Sequence, residues 1–315
     1  MAVRTDFGGG SFRSQLVRLG LRFTAKPVIT AWAHAPRLPW PYGLVDYLGL
    51  TQRMVPGTTI DEVRLSHCRA DVFRTPASRE NRVVVYFHGG AFLVGGRYLH
   101  RGLISRIAEA TGSTVISIDY RQLPKHPIST SIEDCVEGYR YALSLGTDPA
   151  DIVLMGDSAG GYLTFVVADR VCEEGLPRPA ALVALSPLAD MDLERTPFDS
   201  HPRGCDLFPP HFKDPFQSLA RRAEGGWLPH APVACSLGHL PPVLIQTTTT
   251  ESLYAHCCAL AEQLEAAGAS VELQVWDKQV HVFQAGRPLP EAQQAIAEIA
   301  AYVEQVAPAV RRKTA

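Results

Sequence analysis

From about residue 83 onward the chain alternates short apolar runs with longer stretches of helical periodicity. Residues 83–87, 114–119, 152–155, 181–185, 243–247 and 271–275 are rich in β-branched side chains and carry few polar interruptions. Strands buried on both faces have that composition, whereas a strand wet on one face alternates apolar with polar. Between these runs the pattern predicts helices over 98–111, 131–145, 160–174 and 251–267, with a last one over 290–306. Strand and helix in this order predict an α/β fold, a mainly parallel sheet covered by helices on both sides.

Upstream, residues 62–69 and 70–74 are predicted as antiparallel edge strands leading into the parallel set. Residues 12–33 read as helical, because Phe12, Leu16, Leu19 and Phe23 recur at offsets of four, three and four. Arg13, Arg18 and Arg22 line another side, so the apolar stripe is expected to find a packing partner. Two segments break the rhythm: residues 1–50 and 188–241. The second is rich in Pro, Phe and His and too long for a simple connection, which predicts a cap inserted between two strands. The expected organisation is one domain over 1–315. Its core spans about 58–187 and 242–307, and its cap is built from about 1–50 and 188–241.

Composition narrows the function more than the fold. The 315 residues are 46% hydrophobic and 20% charged, and 30 basic against 32 acidic side chains leave a formal charge of −2, so nothing points to nucleic acid. The charge is uneven. Residues 1–40 hold Arg4, Arg13, Arg18, Arg22, Lys26 and Arg37 against the single acid Asp6, a net +5. A basic helix packed on its own domain has this composition, and so does a segment lying on an anionic membrane. No run approaches the ~20 apolar residues of a membrane span, and arginines interrupt the N-terminal apolar stretch that a signal peptide needs. The expectation is a cytoplasmic protein, with peripheral membrane contact through the basic N-terminus as the second reading. Seven cysteines without a CxxC pair read as reduced thiols. Eleven histidines without HExxH or comparable spacing give no metal site, and no cofactor is expected.

The strongest chemical signal is Gly156-Asp157-Ser158-Ala159-Gly160-Gly161, between a predicted strand and a predicted helix. That context is what G-x-S-x-G requires to form a nucleophile elbow: glycines on either side of Ser158 permit a tight turn that lifts the hydroxyl clear. A helix N-terminus there also favours developing negative charge. The second signal is His88-Gly89-Gly90-Ala91-Phe92, directly after the strand at 83–87. Backbone N–H groups of Gly89 and Gly90, unobstructed by side chains, together with Ala159 N–H, are expected to form an oxyanion hole.

These residues resemble the hormone-sensitive lipase family of α/β-hydrolases, bacterial esterases with an HGGG-type motif. The resemblance runs through Asp119-Tyr120-Arg121-Gln122-Leu123-Pro124-Lys125-His126-Pro127, Glu133-Asp134, the elbow and Ser186-Pro187, then resumes at 241–246 and ends at His281-Val282-Phe283. It implies the α/β-hydrolase fold, a helical cap and a serine esterase. Two positions depart from the family pattern. The third glycine is Ala91, and the acidic loop reads Thr247-Thr248-Thr249-Thr250-Glu251-Ser252-Leu253-Tyr254. Aligning Leu253 with the family's leucine puts Glu251 at the catalytic acid and Ala255 where a further acid is usual.

A base for Ser158 must be a histidine whose other nitrogen is held by a carboxylate. His281 follows the last core strand and completes the order Ser, acid, His that this fold uses. For the acid, Glu251 competes with Asp277, Asp190 and Asp192, and its loop position after 243–247 favours it. His88 is expected to shape the glycine loop, and Tyr120, Arg121 and His126 to anchor the loop beneath the site. The resulting expectation is a carboxylic-ester hydrolase of short- to medium-chain acyl esters using Ser158, Glu251 and His281. Its partner is a small-molecule ester, and the sequence leaves the oligomeric state open. Two rivals stand beside it: a deacetylase or amidase on a small molecule, and a ligand-binding protein on the hydrolase scaffold whose triad has decayed.

Overall fold

The structure, a computed structural model, describes residues 3–193, 204–229 and 240–308. Among the described residues, nine strands form one sheet in the order β1-β9-β8-β7-β6-β4-β5-β3-β2. They are β1 (Val3–Phe7), β2 (Thr59–Arg64), β3 (Arg69–Arg74), β4 (Arg79–Phe87), β5 (Ser113–Asp119), β6 (Ile152–Asp157), β7 (Ala181–Leu185), β8 (Val243–Thr248) and β9 (Val271–Trp276). All neighbours run parallel except β2–β3 and β3–β5.

Nine helices are described: α1 (Phe12–Phe23), α2 (Ala25–His34), α3 (Tyr42–Asp46), α4 (Arg101–Thr111), α5 (Ile128–Ser144), α6 (Ala159–Glu173), α7 (Lys213–Ala223), α8 (Tyr254–Ala266) and α9 (Pro290–Val306). Alternation along β4 shows how the sheet is covered. Val83, Val85 and Phe87 meet α5, α6 and α8 on one side, while Val84 and Tyr86 meet α4 and α9 on the other. Both faces are dry, so the strands are apolar throughout rather than alternating.

Four expectations are corrected or refined. The helical stretch over 12–33 is two helices that meet at Thr24, because Pro27 has no N–H for the Phe23 carbonyl one turn back and its ring crowds that oxygen. The edge hairpin turns at residues 65–68, where Leu65 N–H donates to the Cys68 carbonyl, so the first strand ends at Arg64 rather than at 69. The helix predicted from 251 begins at Tyr254, which leaves Glu251 in the turn before it. Finally, the stripe Phe12, Leu16, Leu19 and Phe23 does not pack on the domain but faces outward.

The opposite side of α1 makes the contacts instead. Ser14 Oγ donates to Gln279 Oε1 at 2.7 Å, Arg18 pairs with Asp206 at 2.6 Å, and Val17 and Leu21 pack on the Trp276–Phe283 cluster. The charged strand β1 has no apolar run to signal it, yet it lies parallel along β9 and stacks Phe7 on Trp276 with ring centroids 3.9 Å apart.

The N-terminal helices also meet the described part of the 188–241 insertion. Trp32 packs against Phe212, His34 against His211, and Lys26 Nζ donates to the Cys205 carbonyl. Residues 194–203 and 230–239 of that insertion lie outside the described residues. Among the described residues, no helix is long and apolar enough to cross a membrane.

Candidate active site

Ser158 stands between β6 and α6 with φ 53° and ψ −116°, an uncommon conformation for a residue with a side chain. The glycines around it are required by close approach. A Cβ on Gly156 would lie 2.2 Å from the Gly160 carbonyl oxygen, and one on Gly160 would lie 1.9 Å from that of Phe87. Ser158 N–H donates to the Leu185 carbonyl and its own carbonyl accepts from Tyr162 and Leu188 N–H, so the strained turn is held from three directions.

His281 and Glu251 converge on this serine. His281 Nε2 is 2.9 Å from Ser158 Oγ, and His281 Nδ1 is 2.5 Å from Glu251 Oε2. All three residues are buried, with Glu251 only 1% exposed. The second carboxylate oxygen accepts from Thr247 Oγ1 at 2.5 Å and Thr248 N–H at 3.1 Å, so Glu251 is fixed at both ends. Asp277, its rival by sequence, accepts from Thr249 Oγ1 and pairs with Lys278 instead.

The threonine run organises this side of the site. Thr247 holds Glu251, while the Thr248 and Thr250 hydroxyls donate to the Gln279 carbonyl, two residues before His281. Thr248 Oγ1 in turn accepts from Gln279 N–H at 3.0 Å. By sequence these four residues mark where the acidic loop departs from the family pattern. Their signal is a hydroxyl at four consecutive positions, of which Thr248, Thr249 and Thr250 face residues 277–279.

A further group escaped the sequence reading. Asp157, buried beside the nucleophile, accepts from Tyr86 Oη at 2.7 Å and Gly89 N–H at 3.0 Å, and its other oxygen lies 3.2 Å from His100 Nε2. This corrects the expectation for Gly89: its N–H is engaged by a carboxylate, and a Cβ there would lie 2.2 Å from Asp157 Oδ2. Gly90 and Ala91 follow in a tight turn with positive φ, in which the Gly90 carbonyl accepts from Leu93 and Val94 N–H. Ala159 begins α6, where helix geometry leaves the N–H without an intrahelical acceptor.

Two of the expected anchors, Tyr120 and Arg121, hold the loops below: Tyr120 Oη donates to the His88 carbonyl at 2.6 Å and Arg121 makes a two-pronged contact with Asp134. For His126 the described contact is its backbone N–H to the Gln122 carbonyl. Phe208, not foreseen from sequence, meets His281 edge-on at 5.2 Å. His88 stacks on Tyr120 at 4.2 Å, and burial together with nearby His100 lowers its pKa to about 4.

Compared with an unfolded value near 6.5, the native state therefore binds fewer protons at His88 between those two pH values. Its contribution is complete above pH 6.5 and is lost as pH falls toward 4. Asp119, raised to about 6 first by burial and then by Asp46, has the opposite sign, so the comparison must be with a variant. Between pH 7.5 and 5, the parent should lose about 2 kcal/mol more than His88→Gln in urea unfolding. Parallel losses in the two proteins would remove His88 as the source.

Comparison with known proteins matches residues 84–285 to the alpha/beta hydrolase fold. The chain belongs to this α/β-hydrolase family. The carboxylesterase/phospholipase LipF of Mycobacterium tuberculosis is 34% identical over 94% of this chain and 82% of its own length. The esterase LipU of the same organism is 35% identical over 89% of this chain and 98% of its own. A crystal structure of an esterase from the bacterial hormone-sensitive lipase family superposes with a TM-score of 0.77 at 32% identity, covering 89% of this chain and 97% of that one. This α/β-hydrolase is thus a serine ester hydrolase of the hormone-sensitive lipase branch.

Proposed function

We propose that the chain hydrolyses short- to medium-chain carboxylic esters through an acyl-enzyme on Ser158, with His281 as base and Glu251 as its orienting acid. The observation that carries this reading is the line from Ser158 Oγ through both His281 nitrogens to Glu251, with contacts of 2.9 and 2.5 Å. His281 Nε2 takes the Ser158 proton as Oγ bonds to the ester carbonyl carbon. The carbonyl electrons move to oxygen, where Gly90, Ala91 and Ala159 N–H groups receive the charge. When the tetrahedral species collapses, the C–O bond to the alcohol breaks and His281 returns the proton to that oxygen. Water repeats both steps and frees the acid. Glu251 holds Nδ1–H throughout and stabilises the imidazolium.

The binding-protein reading supposes a decayed triad, and the contacts of His281 with Glu251 and Ser158 argue against it. Fluorophosphonate labelling separates the two, since a binder does not label.

An aromatic wall supports a short acyl chain: Phe208 meets His281 and packs on Phe212, which in turn packs on Trp32 of α2. Where α2 meets residues 204–223, this wall excludes water and shortens the acyl pocket. A p-nitrophenyl ester series should give the highest kcat/KM at butyrate or hexanoate and a steep fall toward palmitate. Preference for emulsified long-chain triglyceride would reject the short pocket.

A further inference from the structure

Among the described residues, eleven of the thirteen exposed large apolar side chains belong to the first fifty residues. Four of them, Phe12, Leu16, Leu19 and Phe23, form the outer stripe of α1, and the two phenylalanines are each 72% exposed. At 100° per residue these four fall within about 60° of arc. The helix is held from its other side by Ser14, Val17, Arg18 and Leu21, so it turns its most hydrophobic stripe toward solvent. An amphipathic helix on a globular protein ordinarily does the reverse.

Cations flank that stripe. Arg13 and Arg22 are exposed on opposite sides of it, and Arg37 is exposed further along. Arg13 donates to the Pro288 carbonyl, a neutral group, and Arg22 lies 4.0 Å from an Asp206 carboxylate already held by Arg18 at 2.6 Å. Positive charge is therefore in surplus around an apolar ridge. Aliphatic stems of arginine can lie along apolar surface while their heads stay at phosphate level.

We propose that α1 docks on the surface of an anionic lipid bilayer, with Phe12, Leu16, Leu19 and Phe23 entering the headgroup–acyl boundary and Arg13 and Arg22 meeting lipid phosphates. Charge selects this occupant. A second copy of the chain pressing the same stripe would bring like-charged arginines together, whereas anionic lipid supplies the opposite sign. The inner face of α1 braces the site: Ser14 bonds Gln279, two residues before His281, and Arg18 bonds Asp206, two residues before Phe208. Docking thus involves the helix that supports the loops around the reacting groups, although docking itself requires no turnover.

The test is sedimentation of the full chain, as Ser158→Ala to prevent turnover, with vesicles of phosphatidylcholine alone or mixed with phosphatidylglycerol. Binding to the mixed vesicles is expected, weaker in high salt. Adding F12S/L16S/L19S/F23S should reduce it at least roughly tenfold, and R13E/R22E should reduce it on the mixed vesicles most. Circular dichroism checks that each variant is folded. With Ser158 restored, both sets should keep parental kcat/KM on soluble p-nitrophenyl butyrate, so a failure of the esterase reading shows in that assay and not in sedimentation. The proposal is overturned if the parent ignores both vesicles or binds them equally. It is also overturned if light scattering finds a dimer that the quadruple variant dissociates while vesicles are not bound, which would make the stripe a contact between copies.

Discussion

Ser158→Ala should lower ester turnover by roughly 10⁶-fold and abolish labelling by fluorophosphonates, with the fold retained. The hydroxyl supplies the electron pair that attacks the carbonyl, and alanine has none to offer. The elbow itself is maintained by backbone: Ser158 N–H to the Leu185 carbonyl, and Tyr162 and Leu188 N–H to the Ser158 carbonyl, none of which needs Oγ. Thermal unfolding within a few degrees of the parent is therefore expected alongside the lost activity. Labelling that persists at another serine would move the nucleophile elsewhere.

The second large effect separates two carboxylates. Glu251→Gln should lower kcat by roughly 10⁴-fold, because an amide no longer fixes the tautomer of His281 or stabilises its charged form. Thr247 Oγ1 and Thr248 N–H both donate to Glu251 Oε1, which favours keeping the amide oxygen there and turning the NH2 toward His281 Nδ1. Two donors would then face each other, and the ring must change its proton or move. Asp277→Asn should cost no more than a few-fold, since it alters contacts to Thr249 and Lys278 only indirectly linked to the histidine. Steady-state kinetics of the pair decides the matter, and equal losses would show that the acid was misassigned.

Ser158, His281 and Glu251 were legible because each stands in a context with a period or a boundary: the elbow after a buried strand, the histidine after the last one, the glutamate after β8. The parallel core was legible for the same reason, as dry strands leave continuous apolar runs. What stayed hidden depended on contacts between distant segments. Asp157 looks like an unconstrained position inside the motif, yet it takes the N–H of Gly89, 68 residues earlier in the chain, and so removes that group from the expected oxyanion donors. The threonines opposite the histidine loop are unremarkable until Gln279 is folded against them. In α1 the periodicity was right and the side was wrong: Phe12 and Phe23 recur as a core stripe would, but Ser14, Val17 and Leu21 make the contacts. The break at Thr24 was readable from Pro27, whereas β1, with Arg4, Thr5 and Asp6 at its centre, offers no hydrophobic alternation to find.

That first strand has a practical bearing on how the N-terminus is studied. β1 is the outermost strand on its side of the sheet and its register runs from Val3 on Glu272 to Phe7 on Trp276. Trimming the chain before α1 would strip that strand from β9 and leave the outward amide and carbonyl groups of its edge bare, next to an unstacked Trp276. Bare edges of this kind recruit strands from other molecules. A shortened protein would be prone to precipitate through intermolecular sheet extension, and its loss of activity would then report on colloidal behaviour instead of on the helices removed. Substitutions on the outer face of α1 leave this seal in place, which makes them the cleaner way to ask what the N-terminal segment does.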